Sequence, residues 1–253
     1  MMKVGLIGAG NMARALARGW GDPVLCSDGG SGRAVQLAAE LGGEALASNT
    51  EVAAQADLVV LCHKPKQLQA VAAELNGKAK AVVSVLGATS NAKLLEAYPG
   101  TPVFRMMPNT PAEIGHGIVC YSPAPAVDPE LETQVIALFE RLGEVVVVPE
   151  PQLDAAAAVM AVGPAYQALL AEAQVDAAVR YGLPAPLAAR LVTGTMSGTA
   201  ALLVARGYDT LTVRREVTSP GGSTARGLDA LERAGVRGAF QAAIDAVVLG
   251  GAR

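Results

Sequence analysis

The feature that most constrains this chain lies within its first twenty residues. A short apolar run, residues 3–8, meets the glycine-rich segment Gly8-Ala9-Gly10-Asn11-Met12-Ala13. Helical spacing follows from Asn11 to Trp20, with Met12, Leu16 and Gly19 on one face. The pattern is G-x-G-x-x-G/A in the one context that gives it meaning, a strand before and a helix after. The first glycine allows a tight turn and the second lets backbone approach a pyrophosphate. The small Ala13 lets helix pack on strand. A pyrophosphate then sits at the helix N-terminus, where free N–H groups and the helix dipole favour an anion. The segment therefore predicts a dinucleotide-binding βαβ unit.

The next 130 residues extend that unit. Strand-like runs fall at residues 24–27, 57–62, 81–85, 102–107, 114–121 and 144–148. Helical segments fall at 31–41, from Pro65 onward, at 91–98 and at 128–142. Such alternation predicts a parallel sheet covered by helices on both faces. After Pro149 and Pro151 no run reads as a strand. Ala-rich helical stretches follow at about 152–181, 184–206, 223–234 and 236–249. The fold class expected is α/β: an N-terminal Rossmann domain with a mostly parallel sheet (1–149), then an all-helical C-terminal domain (150–253).

Composition narrows the function. Apolar residues make up 51% of the chain but aromatics only 4%, and the net charge is −3. No long run of one charge is present, which argues against a nucleic-acid partner. Arg214, Arg215, Arg226, Arg233 and Arg237 gather near the C-terminus and read as a solvated helix face more readily than as an anion funnel. Cys26, Cys62 and Cys120 form neither a disulfide framework nor a metal pattern. Free core thiols suit a reducing cytoplasm. His63 and His116 are the only histidines, so no metal site is expected. The uncharged stretch 155–171 is slightly short for a bilayer and contains Gly163-Pro164, so it is expected to be buried in a core or subunit interface rather than in a membrane.

Four further segments carry candidate chemistry. After the second strand the chain reads Ser27-Asp28-Gly29-Gly30-Ser31-Gly32-Arg33. Asp28 is placed to bond a ribose 2′-hydroxyl, which favours NAD(H), unless it or Ser31 only caps the next helix. Ser27, Ser31 and Arg33 suit a 2′-phosphate, and these several donors tip the expectation toward NADP(H). His63-Lys64-Pro65 and Leu86-Gly87 end two predicted strands at the ligand-binding edge of the sheet. Arg105 to Pro111 is a stiff polar loop, a site wall or only a turn. Val217-Thr218-Ser219-Pro220-Gly221-Gly222-Ser223-Thr224 places a Pro-Gly-Gly turn and two hydroxyls at a helix start, a cradle for a small carboxylate.

Taken together, Gly-Ala-Gly-Asn-Met-Ala, His-Lys-Pro, Met-Pro-Asn-Thr-Pro, Gly163-Pro164-Ala165-Tyr166 and Val-Thr-Ser-Pro-Gly-Gly-Ser-Thr resemble the Δ1-pyrroline-5-carboxylate reductase family over nearly the whole chain. The resemblance implies an NAD(P)H-dependent oxidoreductase that reduces a cyclic imine carboxylate to proline in the cytoplasm. It implies a homodimer through the helical domain, in this family often part of a larger ring of dimers. Ile7, Gly8, Ala9, Gly10, Asn11, Met12, Ser27, Asn49, Lys64, Pro65, Leu86 and Gly87 match cofactor-contacting positions, with Asp28 added from the loop chemistry. Ser223 and Thr224 match substrate-contacting positions beside Gly221 and Gly222, and Thr224 is the candidate catalytic residue, bonding near the imine nitrogen. Three positions depart from the family pattern. Met160 and Val162 stand where small hydroxyls are usual, and Glu216 where an amide is common. They keep open a related cyclic imine as substrate, or a non-catalytic dinucleotide sensor. A β-hydroxyacid dehydrogenase is disfavoured, because that chemistry needs a lysine in the second domain and no lysine follows Lys93.

Overall fold

The computed structural model describes residues 2–125 and 127–250. The chain divides into two compact units, the first ending at Pro164 and the second starting at Ala165. In the first unit the elements are β1 (Val4–Ile7), α1 (Asn11–Trp20), β2 (Leu25–Ser27), α2 (Arg33–Leu41), β3 (Glu44–Ala45), α3 (Asn49–Gln55), β4 (Leu58–Leu61), α4 (Leu68–Leu75), β5 (Val82–Ser84), α5 (Asn91–Ala97), β6 (Val103–Pro108), β7 (Gly117–Ser122), α6 (Pro129–Glu140), β8 (Gly143–Val147) and α7 (Leu153–Met160). The second holds α8 (Gly163–Arg180), whose first turn contains the division, then α9 (Ala185–Ala205), α10 (Thr210–Glu216), α11 (Ser223–Arg233) and α12 (Val236–Gly250).

The eight strands form one sheet in the order β3-β2-β1-β4-β5-β6-β7-β8. Pairing is parallel except between β6 and β7. The exception has a simple cause. Only residues 109–116 connect β6 to β7, fewer than the dozen or so that a parallel crossover needs. A 3₁₀ turn, Thr110–Ile114, fills that connection, so the strand expected from Ile114 starts at Gly117 instead.

Strand side chains alternate between two cores, as the period of two requires. Leu6, Val60, Val83, Phe104 and Tyr121 pack with Leu16, Trp20, Leu37 and Phe139 on one face. Ile7, Val59, Leu61, Val82 and Val103 pack with Val52, Val71, Leu75 and Leu94 on the other. The sheet is thus covered on both sides, which is why its strands read as unbroken apolar runs.

Three elements were not expected: β3, α3 and α10. The two helices are each seven residues long, too short for a clear 3.6-residue period, and β3 has only two residues. Both helices nevertheless carry capping signals. The Ser48 hydroxyl accepts from the Glu51 N–H, and Glu51 reaches back to the Ala47 N–H. Asp209 accepts from the Leu211 and Thr212 N–H groups. The long helix expected at 152–181 is broken at Ala161-Val162, where Pro164 can occupy only the first turn of a helix. The change of composition at Pro149 and the division after Pro164 are separated by α7. Its Leu153, Ala157 and Met160 pack with Met107, Ile118 and Cys120 of the sheet.

Gly19 shows how tightly α1 is seated. A Cβ there would lie 2.1 Å from the Ala112 carbonyl oxygen and 2.6 Å from Leu142 Cδ2. Gly19→Ala should therefore destabilise the protein by about 1–3 kcal/mol, despite the better helix propensity of alanine. Thermal unfolding of the full chain checks this, and an unchanged melting temperature would contradict the packing described.

Candidate active site

The strand order reverses between β1 and β4, and in open α/β sheets ligands bind where it does. At the carboxyl ends of these strands lies a cleft of about 700 Å³. Its centre is built by backbone. Gly8 turns at φ +100°, and a Cβ there would sit 2.9 Å from the Cys62 carbonyl carbon and oxygen. Only glycine allows β1 to end so close to β4. Gly10 is the opposite case: it caps α1, no side chain caps in its place, and no atom lies within 4 Å of where its Cβ would be. The first turn of α1 has no acidic residue. Its N–H groups face the cleft with room for a phosphate.

Most of the expected cofactor residues line this cleft: Ile7, Gly8, Gly10, Asn11, Met12, Asp28, Asn49, Lys64, Pro65, Leu86 and Gly87. Ala9 and Ser27 do not. Both are buried, Ala9 packing in the core below the turn. The Ser27 hydroxyl donates to Asn49 Oδ1 at 2.6 Å, so it acts through its neighbour. At the far side, Ser84 Oγ accepts from the Leu86 N–H and the Thr89 hydroxyl donates to the Gly87 carbonyl. These bonds hold the loop after β5 with Gly87 open to the cleft, where a flat ring can approach backbone.

Asp28 is placed differently from the role first given to it. One carboxylate oxygen accepts from the Gly30 and Ser31 N–H groups, and the other from the Ser31 hydroxyl and the Ala34 N–H. The Ser31 hydroxyl and these backbone donors hold its pKa down at about 2. Both oxygens are occupied in shaping the loop, which is the capping arrangement. Arg33 lines the cleft beside it.

Sequence reasoning missed Gln67, Ala70, Val71 and Glu74, which wall the cleft from α4 and the turn before it. It also gave His63 no role beyond its motif. His63 Nδ1 contacts the Lys64 carbonyl at 2.9 Å, while Nε2 is buried without a partner. Burial pushes its pKa below the ordinary histidine value, so the ring is neutral near pH 7. Cys62 and Cys120 are likewise protonated thiols raised by burial. Among the described residues no cluster of His, Cys, Asp and Glu could hold a metal.

The polar loop after β6 proves to be a clamp. Asn109 is buried, its Oδ1 accepts from the Ile118 N–H and its Nδ2 donates to the Met160 carbonyl. It ties α7 to the sheet and does not line the cleft.

In the second unit, Gly221 turns at φ +69° and Gly222 caps α11 with no side chain bonded in its place. A Cβ on Gly222 would lie 2.4 Å from Ser219 Oγ. The helix has no acidic residue in its first turn and presents Ser223 and Thr224 there. The arrangement can receive a carboxylate. Arg226 donates from its side chain to the Gly221 carbonyl at 2.9 Å, bracing the turn.

Comparison with known proteins agrees with both halves. A family model described as "NADP oxidoreductase coenzyme F420-dependent" matches residues 3–87, and one for pyrroline-5-carboxylate reductase dimerisation matches residues 150–251. Pyrroline-5-carboxylate reductase of Corynebacterium melassecola is 33% identical over 97% of this chain and 96% of its own. The chain belongs to the pyrroline-5-carboxylate reductase family. Among solved structures, the Streptococcus pyogenes reductase superposes with a TM-score of 0.91 at 29% identity, covering 99% of this chain and 98% of its own. The Plasmodium falciparum pyrroline carboxylate reductase with NADP bound gives 0.88 at 26%, covering 99% and 97%.

Against the reductase pattern, the structure accounts for two of the three departures. Glu216 pairs with Arg206 Nε at 2.9 Å, so its charge is countered within the unit. Met160 packs against the Met107 and Cys120 cluster. Nothing in the structure explains Val162. The C-terminal arginines read as a solvated face: Arg214 and Arg237 pair with Glu232, and Arg233 with Asp229.

The contrast between Gly8 and Gly10 yields a test. Gly10→Ala should leave the melting temperature nearly unchanged, yet weaken dinucleotide binding about tenfold, equivalent to 1.4 kcal/mol, because the new methyl occupies phosphate space. Titration calorimetry with NADP⁺ measures it. Undiminished affinity would show that the pyrophosphate lies elsewhere.

Proposed function

We infer that this chain reduces the C=N bond of 1-pyrroline-5-carboxylate to give L-proline, as a nicotinamide-dependent oxidoreductase. The carrying observation is the intact Ser-Pro-Gly-Gly-Ser-Thr turn at an uncapped helix start, in a chain whose other unit bears a dinucleotide cleft. A sensor that only bound the dinucleotide would have no use for a carboxylate cradle.

The residues fit the cofactor. The N–H groups after Gly10 would hold the pyrophosphate, Asn49 and Arg33 would face the adenosine ribose, and Leu86 and Gly87 would receive the nicotinamide. When bound, the nicotinamide supplies the hydride. The chain's own contribution is position and electrostatics. Gly221 to Thr224 would fix the substrate carboxylate through backbone N–H groups and the Ser223 hydroxyl. Thr224 would hydrogen-bond near the imine nitrogen. No histidine lies in the second unit, so the proton is proposed to arrive on a preformed iminium or from water. Both NADPH and NADH are proposed as reductants, since Arg33 suits a 2′-phosphate and the carboxylates nearby do not.

The family's dimerisation domain implies a homodimer. Its large apolar residues are mostly uncovered in the single chain, Leu169, Leu191, Val204 and Phe240 among them. The segment Glu150–Arg180, although broken at Ala161-Val162, and the helix Ala185–Ala205 are long and apolar enough to cross a membrane by length and composition alone, but a second copy of the domain accounts for the same surface. Assembly of dimers into a ring, carried over from the family resemblance, and residence in the cytoplasm, suited to three free cysteines, complete the proposal.

Two measurements test it. Purified protein mixed with pyrroline-5-carboxylate should oxidise NADPH or NADH, followed by the fall in nicotinamide absorbance, and no oxidation of either would overturn the assignment. Thr224→Ala at saturating cofactor should lower turnover about tenfold or more, since general positioning and proton-handling groups contribute on that order. Turnover equal to wild type would remove Thr224 from the mechanism.

A further inference from the structure

The ribose end of the cleft contains a hydrogen-bond chain whose direction can be read. The Ser27 hydroxyl lies 2.6 Å from Asn49 Oδ1, and Asn49 Nδ2 lies 2.6 Å from Glu74 Oε2. A carboxylate only accepts, so Asn49 must turn its NH₂ to Glu74. Its oxygen is then left for Ser27, which must donate. The donors of Ser27 and of one Asn49 proton therefore run toward Glu74. Asn49 Oδ1 and the Glu74 carboxylate are the acceptors left at this wall, and both residues line the cleft.

A second observation concerns charge. The carboxylates lining the cleft are Asp28 and Glu74, and the cations lining it are Arg33 and Lys64. Lys64 follows β4, whereas Arg33 begins α2 beside the end of β2, where the adenosine ribose belongs in this fold. His63 adds no charge because burial keeps it neutral. Arg33 is thus the lining cation at the ribose end, in a cleft that two carboxylates also line.

We propose that Glu74, acting on and through Asn49, is a specificity-determining residue that shifts cofactor choice toward the ribose with a free 2′-hydroxyl. A 2′-hydroxyl is a donor and meets the acceptors that the Ser27-Asn49-Glu74 chain leaves. A 2′-phosphate accepts only, and brings negative charge to a wall that already holds a carboxylate. Glu74 lies on the exposed side of α4, so it can be changed without disturbing the core. The inference rests on the dinucleotide reading of the cleft.

The test is calorimetry on the full chain with four probes: NAD⁺, NADP⁺, AMP and adenosine 2′,5′-bisphosphate. Glu74→Gln keeps an acceptor for Asn49 and removes the charge. It should raise the affinity for NADP⁺ relative to NAD⁺ at least fivefold, with a parallel gain for the bisphosphate over AMP and with NAD⁺ affinity within twofold of wild type. The gain should shrink as salt is raised. Glu74→Ala, which also frees the Asn49 amide to donate into the cleft, should shift the ratio at least as far. An NADP⁺ to NAD⁺ ratio within twofold of wild type in both variants would overturn the role of Glu74 while leaving the cleft assignment intact. In Glu74→Gln, which keeps an acceptor, a ratio that changes only because NAD⁺ binds more weakly would also overturn it. Binding of none of the four probes by the wild-type protein would overturn the dinucleotide reading and this inference together.

Discussion

The first unit depends on one close approach of backbone to backbone. At Gly8 the chain leaves β1 so near to Cys62 and His63 that a Cβ has no room. This contact fixes where α1 begins, and hence where its uncapped N–H groups point. A helix start is worth little as an anion site if it wanders. Here it is held by the ladder between β1 and β4 beneath it and by the seating of Gly19 against Ala112 above. The other cleft residues are then placed by the sheet alone, because Asp28, Lys64 and Leu86 each follow a strand that is in register with β1 or its neighbour. Loops after parallel strands all leave from one edge, which is why residues distant in sequence meet there.

The same logic explains what could be read from the sequence. The β1–α1 turn, the buried strands and the helical second half follow from periodicity and glycine placement, because local backbone preference and burial agree there. Short elements have no period to read, and the sequence reading passed over the caps of two of them. Ser48 with Glu51 and Asp209 before Thr210 were legible capping signals, while the two-residue strand β3 had none. Within the site, residues that act through backbone were legible as a motif. Residues that act through side-chain partners were not. Nothing in the sequence says that all four bonds to Asp28 come from its own loop and the first turn of α2, or that Glu74 reaches Asn49 across the gap between α4 and α3. Such partnerships are set by tertiary spacing, and a motif carries no record of it.

Buried polar groups divide along a similar line. The segment from Arg105 to Pro111 looked like a wall because it is polar and stiff, yet it begins inside β6, and its Arg105 and Asn109 are buried. Arg105 is buried and pairs with Glu150 at 2.7 Å, and the same carboxylate oxygen accepts from the Asn91 N–H at 2.6 Å. One acid thereby joins α5, β6 and the segment leading into α7. The Glu150 side chain is 36% exposed, so the pair is only half-buried and adds little over a well-packed apolar substitute. The network is best understood as fixing where the helical segment leaves the sheet, a question of geometry more than of strength. Asn109, bonded to both β7 and the end of α7, serves the same purpose one strand further along.

The second unit reverses the balance of the first. Among the described residues of this unit, Ala188 and Val213 are the only apolar ones buried in the single chain, although α8 and α9 are long and rich in apolar residues. Amphipathic helices owe most of their stability to the face they bury, so these two long helices need a surface that one chain does not offer. A dimerisation domain supplies it from a second copy. Small side chains suit that purpose: with Gly194, Ala200 and Ala201 along α9, backbones can approach closely. The Pro-Gly-Gly turn at the start of α11 is built on this unit, whose apolar surface one chain leaves uncovered. The dinucleotide cleft, with a complete core on each face of its sheet, has no such need. The two units therefore stand on different physical supports, one with its core folded within the chain and one with its apolar helices left for a second copy to cover.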